Sequence, residues 1–214
     1  WLRPQPGSDG ALALGLAHLL IAQGQYDNDF LQRWSDAPFL VADNGRLLNE
    51  RDLHPDGDPA RRLVWNLTRN APEAVPIRAP NTQKPTHIAL RGNYRVTTAN
   101  DTIICQPVFE RLALRCAEWT PQAVTKATGI PETQLHAAAE MIASNLPAAF
   151  FTWTGTCQHA NATQTGRAIA ALYALTGCID TLGGNVWFEK PPIVDMAGFD
   201  WVTPEERAQT LGMT

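Results

Sequence analysis

Residues 10–23, GALALGLAHLLIAQ, are helix formers with apolar side chains on nearly every face. A surface helix keeps one polar side. A helix without one has to be surrounded, so this stretch predicts a helix at the centre of a core. Asp9 stands directly before the run, where a capping side chain belongs, and Gly24 follows as a stop. Wrapping such a helix takes chain length, and 214 residues supply it: they amount to about one and a half domains.

Periodicity and breaker residues predict the rest. Helices are expected over 27–34, 109–116, 120–128, 131–144 and 163–176, the fourth opened by Pro131 and the third and last closed by Gly129 and Gly177. A short strand at 39–41 precedes the turn Asp43-Asn44-Gly45, and 89–96 with 102–105 reads as a hairpin. Between 54 and 87, Pro55, Pro59, Pro72, Pro76, Pro80 and Pro85 predict an irregular excursion. The apolar run 148–154 reads as a strand buried on both faces. Strands alternating with helices predict an α/β fold with a mainly parallel sheet.

Charge narrows the function. Lys plus Arg is 17 against 21 for Asp plus Glu, a net −4, which leaves no basic excess for a nucleic-acid footprint or a polybasic membrane surface. Only 18% of residues are charged and seven are tryptophan, so surface is expected to be covered by a cofactor, a second domain or another subunit. Cys105, Cys116, Cys157 and Cys178 include no closely spaced pair, and no zinc or iron–sulfur site is expected from them; buried free thiols are. No run of 18 apolar residues spans a bilayer. Trp1-Leu2-Arg3-Pro4 reads as a strand end rather than a translation start, so the chain is expected to be an internal piece, with its compartment unassigned.

Three constellations could carry chemistry. Gly7-Ser8-Asp9-Gly10 feeds the buried helix and gathers backbone N–H groups, a hydroxyl and a carboxylate at a positive helix end. Asp9 there either caps the helix or accepts the two adjacent donors of a guanine edge, which adenine and cytosine lack. The stretch Thr154-Gly155-Thr156-Cys157-Gln158-His159, ahead of a helix, is where an α/β sheet would bind a ligand. Gly155 admits close approach, and Gln158 offers both a donor and an acceptor. No GxGxxG is present, so a nicotinamide fingerprint is not supported. A thiol hydrolase using Cys157 and His159 is a separate reading, as is a stand-alone nucleotide-binding or scaffold domain without redox activity. The third stretch, 175–185, reads as a helix C-cap and loop.

Together, RPQPGSDGALALGLAHLLIAQGQYDNDF, EWTPQAVTKATGIPETQLHAAAEMIA and TGTCQHANATQTGRAIAALYALTGCIDTLGGN resemble the molybdopterin oxidoreductase family, in the family's order and over nearly half the chain. The resemblance implies a catalytic-subunit segment binding bis-molybdopterin guanine dinucleotide with molybdenum or tungsten. It implies that 1–152 is the later part of one Rossmann-like cofactor domain, with 53–106 an irregular or hairpin insertion, and that 153–214 begins the sister domain. Gly7, Ser8 and Asp9 fall at the guanosine contact, and Thr154, Gly155 and Gln158 at the second dinucleotide near the pterin. The family's metal ligand and any iron–sulfur cluster lie upstream, so no catalytic or metal-ligating residue is expected here, and the segment alone is expected to be inactive. Partners would be the remaining domains of the same polypeptide and an electron-transfer subunit. Ala162 and Cys178-Ile179-Asp180 depart from the family by removing glycines, which makes backbone approach there less close.

Overall fold

In a computed structural model, which describes residues 1–77, 87–98, 101–187 and 201–209, the apolar run becomes helix α1, Asp9–Ala22. Ala11, Ala13, Leu16, Ala17, Leu19, Leu20 and Ile21 are all buried, which uses every face of the helix. Four helices surround it: α3 (Val108–Ala117), α4 (Pro121–Thr128), α5 (Glu132–Ser144) and α6 (Ala162–Thr176). Their apolar faces close one core containing Leu16, Leu20, Phe109, Ile130, Leu135 and Leu175. The short α2 (Asn28–Trp34) is held to the end of α6: the Asp27 carboxylate accepts from Phe30 N–H at 2.8 Å, and Asp27 N–H donates to the Leu175 carbonyl at 2.8 Å.

The helices start and stop largely where local chemistry directs. Thr120 accepts from Ala123 N–H ahead of α4, while Gly129 and Gly177 close α4 and α6 in the left-handed region at φ 77° and 64°. At Gly177 the requirement is also steric, because a β-carbon there would lie 2.5 Å from the Asp27 carboxylate. A further helix, α7 (Pro204–Gln209), lies near the end of the described residues. No helix among the described residues is long and apolar enough to cross a membrane.

The mixed α/β composition holds, but the parallel, Rossmann-like sheet does not. Strands β1 (Leu40–Ala42), β4 (Tyr94–Thr97) and β5 (Thr102–Pro107) form an antiparallel sheet in the order β1-β5-β4, and β2 (Arg61–Asn66) pairs with β3 (Ala71–Pro76) in a second antiparallel ribbon. Two of the three pairings are hairpins between chain neighbours, which need no crossover helix. The expected strand at 148–154 is absent among the described residues. Phe150 packs inward and meets Tyr173 at 4.7 Å between ring centroids, but Phe151 and Trp153 are 91% and 85% exposed. A parallel strand needs cover on both faces, and this segment has it on one.

The 54–87 stretch is more regular than its prolines suggest. Pro72 and Pro76 sit inside β3, opposite Trp65 and Arg61. Residues four apart in a strand point their N–H positions the same way, so both missing donors fall on the side facing away from β2. Pro80 and Pro85 lie outside the described residues. The 89–105 hairpin is borne out as β4–β5, with Trp65 stacked on Tyr94 at 4.4 Å above a core of Leu40, Leu48, Leu63 and Val96. Residues 1–5 form no strand.

Candidate functional site

Gly7 turns the chain into α1 at φ 79°, and Ser8 N–H and its hydroxyl both bond the Gln5 carbonyl, at 3.1 and 2.6 Å. Ser8, not Asp9, therefore holds the N-cap position, and its side chain faces back along the turn instead of capping. Asp9 is the first helical residue. Its carboxylate makes no hydrogen bond or ion pair with any described residue, so the capping role expected of it is not filled. The first turn of α1 is left without a side-chain cap, its N–H groups directed out of the helix end.

Helix α6 begins beside it in the same condition. Asn161 occupies its N-cap without a side-chain cap bond. The two helices meet at their first turns: a β-carbon on Gly10 would lie 3.1 Å from the hydroxyl of Thr165. Where they meet, a cleft of about 660 Å³ opens, with Gly7, Ser8, Gly10, Asn161, Gln164 and Arg167 in its wall and Arg115 and Trp119 of the α3 end across from them. Arg115 pairs with Glu118, an exposed pair of the kind worth little. Arg167 is exposed and has no ion pair or hydrogen bond among the described residues.

The structure thus gathers Gly7 and Ser8 with the start of α6, with Asp9 at the same helix end. Thr154, Gly155 and Gln158 are not in the cleft. They belong to an exposed turn, Thr154–Cys157, that leads into α6, closed by Gln158 N–H donating to the Gly155 carbonyl at 3.2 Å. The space where a Gly155 side chain would stand is open. Sequence reasoning missed Arg115, Trp119, Gln164 and Arg167. A signal was available on α6: Asn161, Gln164 and Arg167 recur every third residue, a polar stripe along one helix face.

Cysteine chemistry does not compete. Cys105, Cys116 and Cys178 are buried and free, as expected; Cys157 is exposed. Burial pushes the Cys105 and Cys116 thiols up to about 11. No hydrogen bond joins Cys157 to His159, whose Nε2 is buried without a partner, so the nucleophile–base contact of a thiol hydrolase is not formed. No group of histidine, cysteine, aspartate or glutamate able to hold a metal occurs among the described residues.

No protein-family model matches the chain. Individual proteins do. The perchlorate reductase subunit alpha of Dechloromonas aromatica (strain RCB) is 30% identical over 213 residues, covering 87% of this chain and 23% of that protein. The dimethylsulfide dehydrogenase subunit alpha of Rhodovulum sulfidophilum is 28% identical over 211 residues, covering 94% of this chain and 23% of that protein. The chain belongs to the molybdopterin oxidoreductase family. It spans 23% of the length of each of these curated relatives, so what this family member shares with them is one segment. Among solved structures, acetylene hydratase from Pelobacter acetylenicus aligns with a TM-score of 0.46 at 19% identity, over 83% of this chain and 15% of that one.

Proposed function

We propose that the chain is the cofactor-gripping part of the catalytic subunit of a molybdenum or tungsten oxidoreductase, and that it holds a pterin guanine dinucleotide. The observation that carries this is the cleft at the paired starts of α1 and α6, with Gly7 and Ser8 in its wall and Asp9 unpartnered at the same helix end. The residues fit such a group. Gly7 leaves open space above the backbone, and uncapped first-turn N–H groups suit a phosphorylated ligand. A carboxylate without a protein partner matches the paired N–H donors of guanine.

In this reading Gly7, Ser8 and Asp9 hold the guanosine portion. Thr154, Gly155 and Gln158, exposed and open, take the second dinucleotide near its pterin. Residues 1–152 and 153–214 serve the two halves of a bis-molybdopterin guanine dinucleotide site. The metal and its pterins supply the two-electron chemistry when bound; the chain binds and orients them. The remaining polypeptide of the subunit covers Trp1, Trp153, Trp187 and Trp201, all exposed in this segment, and an electron-transfer subunit docks on the whole.

The test is calorimetric titration of the chain with GMP and AMP. GMP is expected to bind roughly tenfold or more tightly than AMP, the cost of leaving the half-buried Asp9 carboxylate facing the wrong edge, and Asp9→Asn is expected to erase the difference. Equal affinity for the two nucleotides in the unaltered chain defeats the guanine assignment.

A further inference from the structure

The turn Asp43-Asn44-Gly45 joins β1 to the segment that returns beside it at Leu47, and it stands apart from the cleft. All three residues are exposed. Gly45 N–H donates to the Ala42 carbonyl, Ala42 N–H to the Arg46 carbonyl and Leu48 N–H to the Leu40 carbonyl, each at 2.9 Å. Inside the turn, Asn44 Oδ1 accepts from Arg46 N–H at 3.0 Å. A side chain that reaches the N–H two residues on is folded back over the peptide between. Its amide carbon is thereby held alongside the Gly45 nitrogen, and the bond to Oδ1 draws electrons from that carbon. Asn44 Nδ2 has no hydrogen bond among the described residues, so nothing retains it. Gly45 adds no obstruction: it stands at φ 86°, and no atom lies within 4 Å of where a β-carbon would be. Of all the asparagines in the chain, only Asn44 precedes a glycine. The loop pair Asp56-Gly57 is hemmed in by comparison, because a β-carbon at Gly57 would lie 2.6 Å from the Glu50 backbone.

We propose that Asn44-Gly45 is a self-modifying site, at which the chain converts its own asparagine to aspartate and isoaspartate. The Gly45 nitrogen, stripped of its proton, attacks the Asn44 amide carbon. The bond from that carbon to Nδ2 breaks, ammonia leaves, and a succinimide ring closes. Water then opens the ring at one carbonyl to give aspartate, or at the other to give isoaspartate. The sum is amide plus water to carboxylate plus ammonium, with no redox change and no further reactant. One brake is visible: the Gly45 N–H bond to Ala42 has to open first, which slows the reaction roughly tenfold or less. Either product sets a carboxylate beside Arg46, in competition with Asp52, which holds that guanidinium at 2.9 and 2.8 Å. Isoaspartate also adds a methylene to the main chain, which pulls the bonds at Ala42 and Leu48 out of register and uncovers the edge of β1.

The test is to incubate the full 214-residue chain in heavy-oxygen water, digest it with trypsin and follow peptide 34–46 by mass spectrometry. That peptide is expected to lose its amide nitrogen, to gain one heavy oxygen, and to separate chromatographically into two products of equal mass. The rate is expected to rise with pH, because the nucleophile is a deprotonated nitrogen, and to lie within roughly tenfold of the rate for the same chain unfolded in urea. Asn93 and Asn145, exposed but followed by Tyr94 and Leu146, are expected to stay intact. Asn44→Gln, which would have to close a larger ring, is expected to abolish the conversion, with circular dichroism checking that the variant is folded. In the aged chain, hydrogen exchange at Ala42 and Leu48 is expected to quicken. An unchanged 34–46 peptide, a folded-chain rate below the tenfold range, or equal conversion at Asn93 or Asn145 overturns the site.

Discussion

Gly15 sits in the middle of α1, where helix propensity alone favours alanine by about 1 kcal/mol. The packing argues the opposite. A β-carbon at Gly15 would lie 2.3 Å from Val124 Cγ2 and 3.4 Å from Val124 Cβ and Cγ1. Restoring an ordinary carbon–carbon separation takes a shift of about 1.2 Å. Val124 is fully buried and β-branched within α4, so its side chain has one comfortable rotamer and nowhere to swing. The strain therefore falls on the spacing between α1 and α4.

Overpacking costs about 1–3 kcal/mol, and a contact of 2.3 Å against a side chain with no free rotamer belongs at the upper end, about 2–3 kcal/mol; the propensity gain of about 1 kcal/mol then leaves Gly15→Ala destabilised by about 1–2 kcal/mol. For a chain of this size that is a fall in Tm of about 2–8 °C. Val124→Ala alone leaves a cavity and costs about 1–3 kcal/mol. The double variant removes Cγ2 and leaves only Cβ, at 3.4 Å from the new methyl, so the two changes relieve each other. Urea unfolding followed by circular dichroism, run on all four proteins, is expected to give a favourable coupling of about 1 kcal/mol or more. If Gly15→Ala is as stable as the unaltered chain, or the two losses simply add, close approach of α1 and α4 is not what requires the glycine.

Two further predictions test other parts of the chain. Asn185 accepts from Phe150 N–H at 2.8 Å and donates to the Phe150 carbonyl at 2.9 Å, standing in for a paired strand; Asn185→Ala is expected to cost about 1–3 kcal/mol and to open 147–153 to limited proteolysis, and an unchanged cleavage pattern refutes this. Cys105 and Cys116 titrate near 11 when folded against an ordinary 9.0, so the unfolded chain ionises first as pH rises. Their contribution is complete below 9 and is lost between 9 and about 11, and urea midpoints measured across that range are expected to fall, less so in Cys105→Ala.

What was legible in the sequence was what short-range chemistry decides. The all-round apolarity of 10–23 located the central helix, and Gly129 and Gly177 marked helix ends because their backbones need the left-handed region. The β4–β5 hairpin followed from two short runs split by a turn. The β2–β3 ribbon was hidden because prolines break a strand only when their missing N–H faces a partner, and the direction of Pro72 and Pro76 depends on a register that proline counting cannot supply. The parallel sheet failed at 148–154 for a different reason: an apolar run records that both faces suit burial, whereas this chain covers only the side of Phe150. Of the candidate site, the motif at Gly7 and Ser8 was readable. Arg115 and Trp119 were not, because only the packing of α3 against α1 brings them across from it.

The glycines of α1 connect fold and site more directly than either motif does. Gly10 admits α6 and Gly15 admits α4, on different faces of one helix, and both contacts are too close for a larger residue to enter freely. Close approach at Gly10 is what sets two helix starts next to each other. That juxtaposition leaves two sets of first-turn N–H groups in one cleft, and neither Ser8 nor Asn161 bends round to satisfy them. A chain selected for helix stability alone would cap both, at a gain of about 1 kcal/mol each. Asp9 could serve α1 from one position earlier, yet it lies inside the helix with its carboxylate unengaged. Donors left open at two ends, and an acceptor left open beside one of them, are complementary to a single ligand that carries phosphate at one place and paired N–H donors at another.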